Sequence, residues 1–241
     1  MATKLTAKEF KTRLEGMQSD DELRKIQRYF KSESNSRSKS DYFIGVRMGS
    51  IFQLAKEYVQ MPVSEIEKLM ESPVHEVRAG AMSIMGQCAK GKKCSDERLE
   101  ELYGLYLRRH DRINNWDLVD LAAHYVVGKH LADKPRDVLY KLASSKNKWE
   151  RRTSILATAH FILKMNEVDD TYAIAEMLVD DPEDLVLKAT GWMLRTAGAK
   201  DQKRLKEFLD KYAATMPRVL LRYSIEKLDK ATRDHYMQLK S

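Results

Sequence analysis

Asp184-Leu185-Val186-Leu187-Lys188 has three echoes along the chain: Val74-His75-Glu76-Val77-Arg78, Lys148-Trp149-Glu150-Arg151-Arg152 and Arg218-Val219-Leu220-Leu221-Arg222. Each ends on a cation, at 78, 152, 188 and 222, and a further unit with Asp117 in that slot fills the gap between the first two. The steps are 39, 35, 36 and 34 residues, the length of one helical hairpin per step. A hairpin cannot bury its apolar face alone, so consecutive hairpins stack into one continuous core. The expected fold class is all-α: an α-solenoid of stacked antiparallel helix pairs with a concave basic face. The repeated cations have two readings, tracking a phosphate backbone or securing a neighbouring helix end and pairing with an acid.

The rest of the chain agrees with helices. Thr6…Glu9, Ser19…Glu22 and Ser64…Glu67 have capping-box spacing, in which a hydroxyl and a carboxylate satisfy orphan amides at a helix start. Three helices are therefore expected before residue 72. Leu118, Leu121, Ala122 and Tyr125, and then Ile155, Leu156, Ala159, Ile162 and Leu163, recur at helical spacing. Ten glycines and five prolines in 241 residues suit helices better than hairpin-rich sheets. The serine-rich run from Lys31 to Ser40 cannot bury a face and reads as a mobile loop. The expected organisation is a single domain over 1–241, with N-terminal helices and the flexible loop in 1–41 and the repeats in 42–241.

Lysine and arginine exceed the acids by 43 to 36, which favours a polyanionic partner without establishing one. Cys88 and Cys94 form neither a CxxC pair nor a disulfide framework, as in a protein of a reducing cytoplasm. The start, Met1-Ala2-Thr3-Lys4-Leu5, lacks an apolar signal core, and no 18 apolar residues run together. A cytoplasmic chain that meets no membrane is expected. HExxH, GxSxG and glycine-rich phosphate loops are absent, and six histidines show no metal-ligand spacing. His124 and His160, inside apolar helix patterns, read as core histidines.

Two clusters carry possible chemistry. Trp116 and Asp120 are four residues apart, so they share one helix face, and Leu118, Leu121, Ala122 and Tyr125 centre on the other side. In the repeat register Asp120 stands level with Ala81, Ile155 and Gly191, so a carboxylate replaces a packing residue. It serves there as a functional anion, or as an ordinary salt bridge or helix-start charge. Lys188, Trp192 and Arg195 share a second stripe, with Val186, Ala189 and Met193 as the apolar face. Trp192 is level with Met82 and Leu156, so an enlarged core residue is the competing reading.

Tyr42-Phe43-Ile44-Gly45-Val46-Arg47, Trp116-Asp117-Leu118-Val119-Asp120, Trp149-Glu150-Arg151-Arg152 and Gly191-Trp192-Met193-Leu194-Arg195 resemble patches of the AlkD-type DNA glycosylases of the DNA alkylation repair family, which are built from HEAT-like repeats. The likeness spans about residues 40 to 229, with the last three patches in the family's order and spacing. It departs at Arg47, where the family's best-known member carries glutamine, and in the serine-rich run.

The resemblance implies hydrolysis of the N-glycosidic bond of 3-alkyladenine and 7-alkylguanine in duplex DNA by a monomer without cofactor or metal. Asp120, Trp116 and Trp192 would form the catalytic cluster; Arg152 and Arg195 would hold backbone phosphates, with Lys148, Lys188 and Arg47 as further DNA-binding cations. Cleavage passes through an oxocarbenium-like sugar, which a carboxylate and electron-rich ring faces stabilise. The matched motifs contain no Schiff-base lysine, so no strand-nicking activity is expected. A non-catalytic DNA-binding repeat protein and a protein-interaction scaffold are the competing functions.

Overall fold

The computed structural model describes residues 5–32 and 42–239, and every regular element among them is helical. The chain divides into two units, Met1–His130 and Leu131–Ser241. The first contains α1 (Ala7–Glu15), α2 (Asp20–Ser32), α3 (Met48–Glu57), α4 (Val63–Met70), α5 (His75–Lys90), α6 (Asp96–Arg108) and α7 (Trp116–Ala123), which runs on into a π-helical turn, His124–Gly128. The second contains α8 (Asp137–Ala143), α9 (Lys148–Ala157), a π-helical turn at Phe161–Met165, α10 (Asp169–Met177), α11 (Asp184–Gly198), α12 (Gln202–Tyr212), α13 (Arg218–Ile225) and α14 (Lys230–Gln238).

Within each unit the helices alternate between two layers, as in an α-solenoid. In the first, α3 packs on α5 and α5 on α7, while α4 and α6 pack behind them. In the second, α9 packs on α11 and α11 on α13, with α10 and α12 behind. The periodicity thus yields the expected all-α fold, because each repeat hides its apolar stripe against the next. Ile51, Leu54, Ile66, Leu69, Ile84 and Leu118 fill the first core, and Ile155, Ile174, Leu194, Leu209 and Leu220 the second. Each such side chain contributes roughly 1.5–3 kcal/mol by leaving water.

Polar side chains join successive repeats at nearly the repeat period. Arg78 is buried and donates to the Ser72 carbonyl at 2.8 Å and to Asn114 Oδ1 at 3.1 Å. Arg151 pairs with Asp181 at 2.5 Å, Arg136 with Asp170 at 2.6 Å, and Arg109 with Glu67 at 3.1 Å. Arg108 also donates to Glu67, at 2.8 Å, and chiefly through it the Glu67 carboxyl is held below its ordinary 4.5, against the opposing effect of partial burial. A depressed folded value means that this contribution to stability is complete above the unfolded value and lost as pH falls through the folded one. Glu67→Gln is therefore expected to flatten the acid limb of a Tm-against-pH profile below about pH 4.5. An unchanged limb would show that these bridges contribute nothing to folding.

Thr6 caps α1 as the spacing predicts, accepting the Glu9 N–H at 3.2 Å, and Ser19 accepts the Glu22 N–H at 3.5 Å. The Ser64…Glu67 box is a correction. The cap lies two residues earlier, at Pro62, and makes no side-chain cap bond, while Glu67 is engaged by Arg108 and Arg109. In the serine-rich run, Lys31 and Ser32 end α2, and the remainder, with the loop expected there, lies outside the described residues.

Two glycines set how closely the helices approach. A Cβ on Gly86 of α5 would collide with the Leu121 carbonyl oxygen of α7, and one on Gly191 of α11 would lie 2.5 Å from Tyr223 Cβ of α13. Both contacts need a residue without a side chain.

Candidate functional site

In the first unit, α7 starts at Trp116, with Asn115 Oδ1 accepting the Trp116 N–H at 2.8 Å. Asp117, in the otherwise basic slot, turns toward the preceding repeat: its Oδ2 lies 2.7 Å from His75 Nε2. The core face of α7 is Leu118, Val119, Ala122 and Ala123, continued by Val126 and Val127. This rotates the stripe expected from the sequence. Leu121 and Tyr125, read there as core, are half-buried on the open side beside Asp120. The cause is the close approach at Gly86, which brings the α7 backbone, rather than the Leu121 side chain, against α5. The π turn, with its wider i→i+5 spacing, then shifts the phase of the residues after it.

Asp120 lines a groove of about 630 Å³ together with Phe52 and Lys56 of α3, Ser83, Gly86, Gln87 and Lys90 of α5, and Leu121 and Tyr125. The residues level with it in other repeats, Ala81, Ile155 and Gly191, are buried. The register thus locates the one slot where packing is exchanged for an accessible carboxylate. Trp116 is half-buried one turn earlier on the same helix. Gln87 donates to the Phe52 carbonyl at 3.0 Å and to Ser83 Oγ at 2.8 Å, bracing the α3–α5 wall. Lys90 Nζ lies 5.4 Å from the Tyr125 ring centroid, whose ring stacks on His124 at 4.2 Å. His124 and His160 are half-buried rather than core residues.

Arg47 stands at the N-terminus of α3, its side chain 68% exposed and 2.8 Å from Glu22. The segment before it is tied to α5: Glu76 Oε1 accepts the N–H groups of Ile44 and Gly45 at 3.0 and 2.9 Å. The Tyr42–Arg47 patch is thereby held against α5.

In the second unit, Val186, Ala189 and Met193 are buried while Trp192 is 40% exposed and Lys188 and Arg195 are half-buried. Met82 and Leu156, level with Trp192, are buried. The enlarged-core reading of Trp192 is therefore set aside, and the cation–indole–cation stripe lies on the outer side of α11. Arg195 pairs with Glu226, and Lys148 with Glu183 at 3.0 Å, its Nζ 5.2 Å from the Trp149 ring centroid. Among the described residues Lys188 has no ion-pair partner.

Arg152 is only 5% exposed, and its Nη1 donates to the Leu185 carbonyl. Securing a neighbouring repeat is thus what Arg78 and Arg152 do in this structure. Arg152→Ala is expected to destabilise the protein by about 2–3 kcal/mol, from a lost charge-assisted bond and a stranded carbonyl. Urea unfolding measures this; an unchanged midpoint would contradict the structural role.

Sequence reasoning passed over Phe52, Lys56, Gln87 and Lys90 and read Tyr125 as core; all five share the groove with Asp120. Among the described residues no three histidine, cysteine, aspartate or glutamate side chains are grouped to hold a metal ion. No described helix is long and apolar enough to cross a membrane.

The model of the family described as DNA alkylation repair enzyme matches residues 10–228. Among solved structures the chain is similar to one titled "Predicted DNA alkylation repair enzyme from Enterococcus faecalis", with 18% identity and a TM-score of 0.66, covering 89% of this chain and 98% of that one. At that identity the likeness shows the fold. A search of the curated proteins matched none.

Proposed function

Because the chain belongs to the DNA alkylation repair enzyme family, we propose that it is a monofunctional DNA glycosylase, hydrolysing the N-glycosidic bond of 3-alkyladenine and 7-alkylguanine in duplex DNA. The observation that carries this reading is Asp120: a groove-lining carboxylate in a slot that buries small or apolar residues in the other repeats. Alkylation at purine N3 or N7 leaves the base cationic, so it departs without a general acid. What the reaction needs is stabilisation of the positive charge that develops on the sugar. A carboxylate held at the groove wall supplies that and orients the attacking water. Trp116, one turn from Asp120, adds a ring face for the sugar.

The second unit holds the strand through exposed Trp192 with Lys188 and Arg195, and Lys148 and Arg47 are further phosphate contacts. Several of these cations have acidic partners. The Arg47 side chain is largely exposed in its pair, and an exposed pair contributes only about 0–1 kcal/mol, so a phosphate displaces that acid at small cost. Arg152 keeps its structural role. Selectivity then follows from the charge of the lesion rather than from readout of the base edge.

The test is release of free base. Duplexes bearing 7-methylguanine, 3-methyladenine or undamaged purine are incubated with the protein and the liberated base is quantified. Release from the two cationic lesions and none from the undamaged duplex is expected. Duplex binding without release from either lesion would remove the glycosylase and leave a DNA-binding repeat protein.

A further inference from the structure

The Asp120 groove contains two cations that the family motifs do not include. Lys56 lies in the last turn of α3 and Lys90 is the last residue of α5, and both line the groove that Asp120 enters. Their separation is 34 residues, one repeat, so adjacent repeats present an ammonium at equivalent heights. Lysines recur twelve residues beyond the repeat slot at 90, 129, 164 and 200.

A lysine at a helix C-terminus has a plain explanation, since it neutralises the negative end of the helix dipole and the last carbonyls. Lys129 fits that explanation: its Nζ donates to the Ala89 carbonyl, in the last turn of α5, at 2.7 Å. Lys56 and Lys90 do not repeat it. Both are exposed, and neither has an acidic partner among the described residues, whereas Arg13, Arg47, Arg108, Arg109, Arg136 and Arg151 all have one. Lys90 is drawn over the Tyr125 ring on the far wall, so its charge stays in the groove.

Two exposed ammonium groups one repeat apart beside a single carboxylate suit a ligand that is anionic at both ends and becomes cationic in the middle. A phosphodiester–deoxyribose–phosphodiester unit is such a ligand when its glycosidic bond breaks. We propose that Lys56 and Lys90 form a phosphate clamp in the first unit, holding one DNA strand so that the sugar between the held phosphates faces Asp120. The clamp rests on the glycosylase reading for its purpose, but its binding stands apart from catalysis. Lys56 and Lys90 are positioning residues. Gln87, hydrogen-bonded to the Phe52 carbonyl, fixes the spacing of the two helices that carry them.

The experiment measures affinity for an undamaged duplex as a function of salt, for the parent, K56Q/K90Q, K56R/K90R and the charge-matched control K200Q/K203Q. Each phosphate contact contributes about 0.9 to the slope of log K against log salt. K56Q/K90Q is expected to lose roughly 1.8 from that slope and about tenfold in affinity at low salt. The arginine variant is expected to restore both, and the control to keep the parental slope. Parental slope and affinity in K56Q/K90Q, or an equal loss in the control, would overturn the clamp. Release of 7-methylguanine by the parent protein, followed in parallel, decides the glycosylase reading separately. Absent release with a reduced K56Q/K90Q slope sinks that reading and leaves the clamp standing.

Discussion

Asp120→Asn is expected to lower release of 7-methylguanine from duplex DNA by about a hundred- to a thousandfold, the usual loss when one preorganised electrostatic group is removed. Asparagine keeps the shape and hydrogen-bonding reach of the side chain and removes only its charge. Asp120 is half-buried at the groove wall, so the substitution opens no cavity and Tm should stay within about 2 °C. Affinity for undamaged duplex should hold or rise slightly, because a negative charge leaves the path of a polyanion. This pattern separates catalysis from folding and from binding. Parental release by the Asn variant would remove Asp120 from the mechanism, and with it the observation on which the activity rests.

Gly86→Ala is expected to destabilise the protein although it adds only one methyl group. In a helix interior alanine is normally favoured over glycine by about 1 kcal/mol. Here the new Cβ meets the Leu121 carbonyl oxygen, a backbone atom that no rotamer change can move. The helices α5 and α7 must separate, at a cost of about 2–4 kcal/mol, which exceeds the gain in propensity. Tm should fall by roughly 4–10 °C for a chain of this size. Base release should fall with it, since α7 carries Trp116 and Asp120. Gly104→Ala on α6 is the internal comparison: no atom lies within 4 Å of its Cβ position. There the propensity gain stands alone, and a small rise in Tm is expected. If both substitutions raise Tm alike, the close α5–α7 approach is wrong.

The sequence was most informative where repetition multiplies a weak signal. No single five-residue segment identifies a helix pair, but four of them with terminal cations, and a fifth unit with Asp117 in that slot, at steps of 34 to 39 residues leave little else than stacked hairpins. The same register exposed Asp120, because three equivalent positions hold small or apolar residues. Periodicity was weaker at assigning what a cation does. Arg78 and Arg152 look alike with Lys188 in sequence, yet the first two are buried against carbonyls and Lys188 is half-exposed. The difference is how near the following helix comes, which no local pattern records.

The same limit explains the groove. Leu121 and Tyr125 have core spacing on an ideal 3.6-residue helix, but α7 is rotated by the contact at Gly86 and lengthened into a π turn, so these two residues line open space. Lys56 and Lys90 fall at helix ends outside the repeat slot, where lysine is common for reasons of the dipole, and only the packing of α3 beside α5 brings them to one wall.

The chain by itself determined the all-helical class, the repeat length and the position where a carboxylate displaces a packing residue, since these follow from spacing along one strand of covalent bonds. Tertiary structure decided which cations are buried ties and which remain exposed, that Trp192 faces outward, and which side chains share a groove with Asp120. Those outcomes depend on the distance and rotation between neighbouring helices, quantities set by glycine contacts and backbone collisions far apart in sequence.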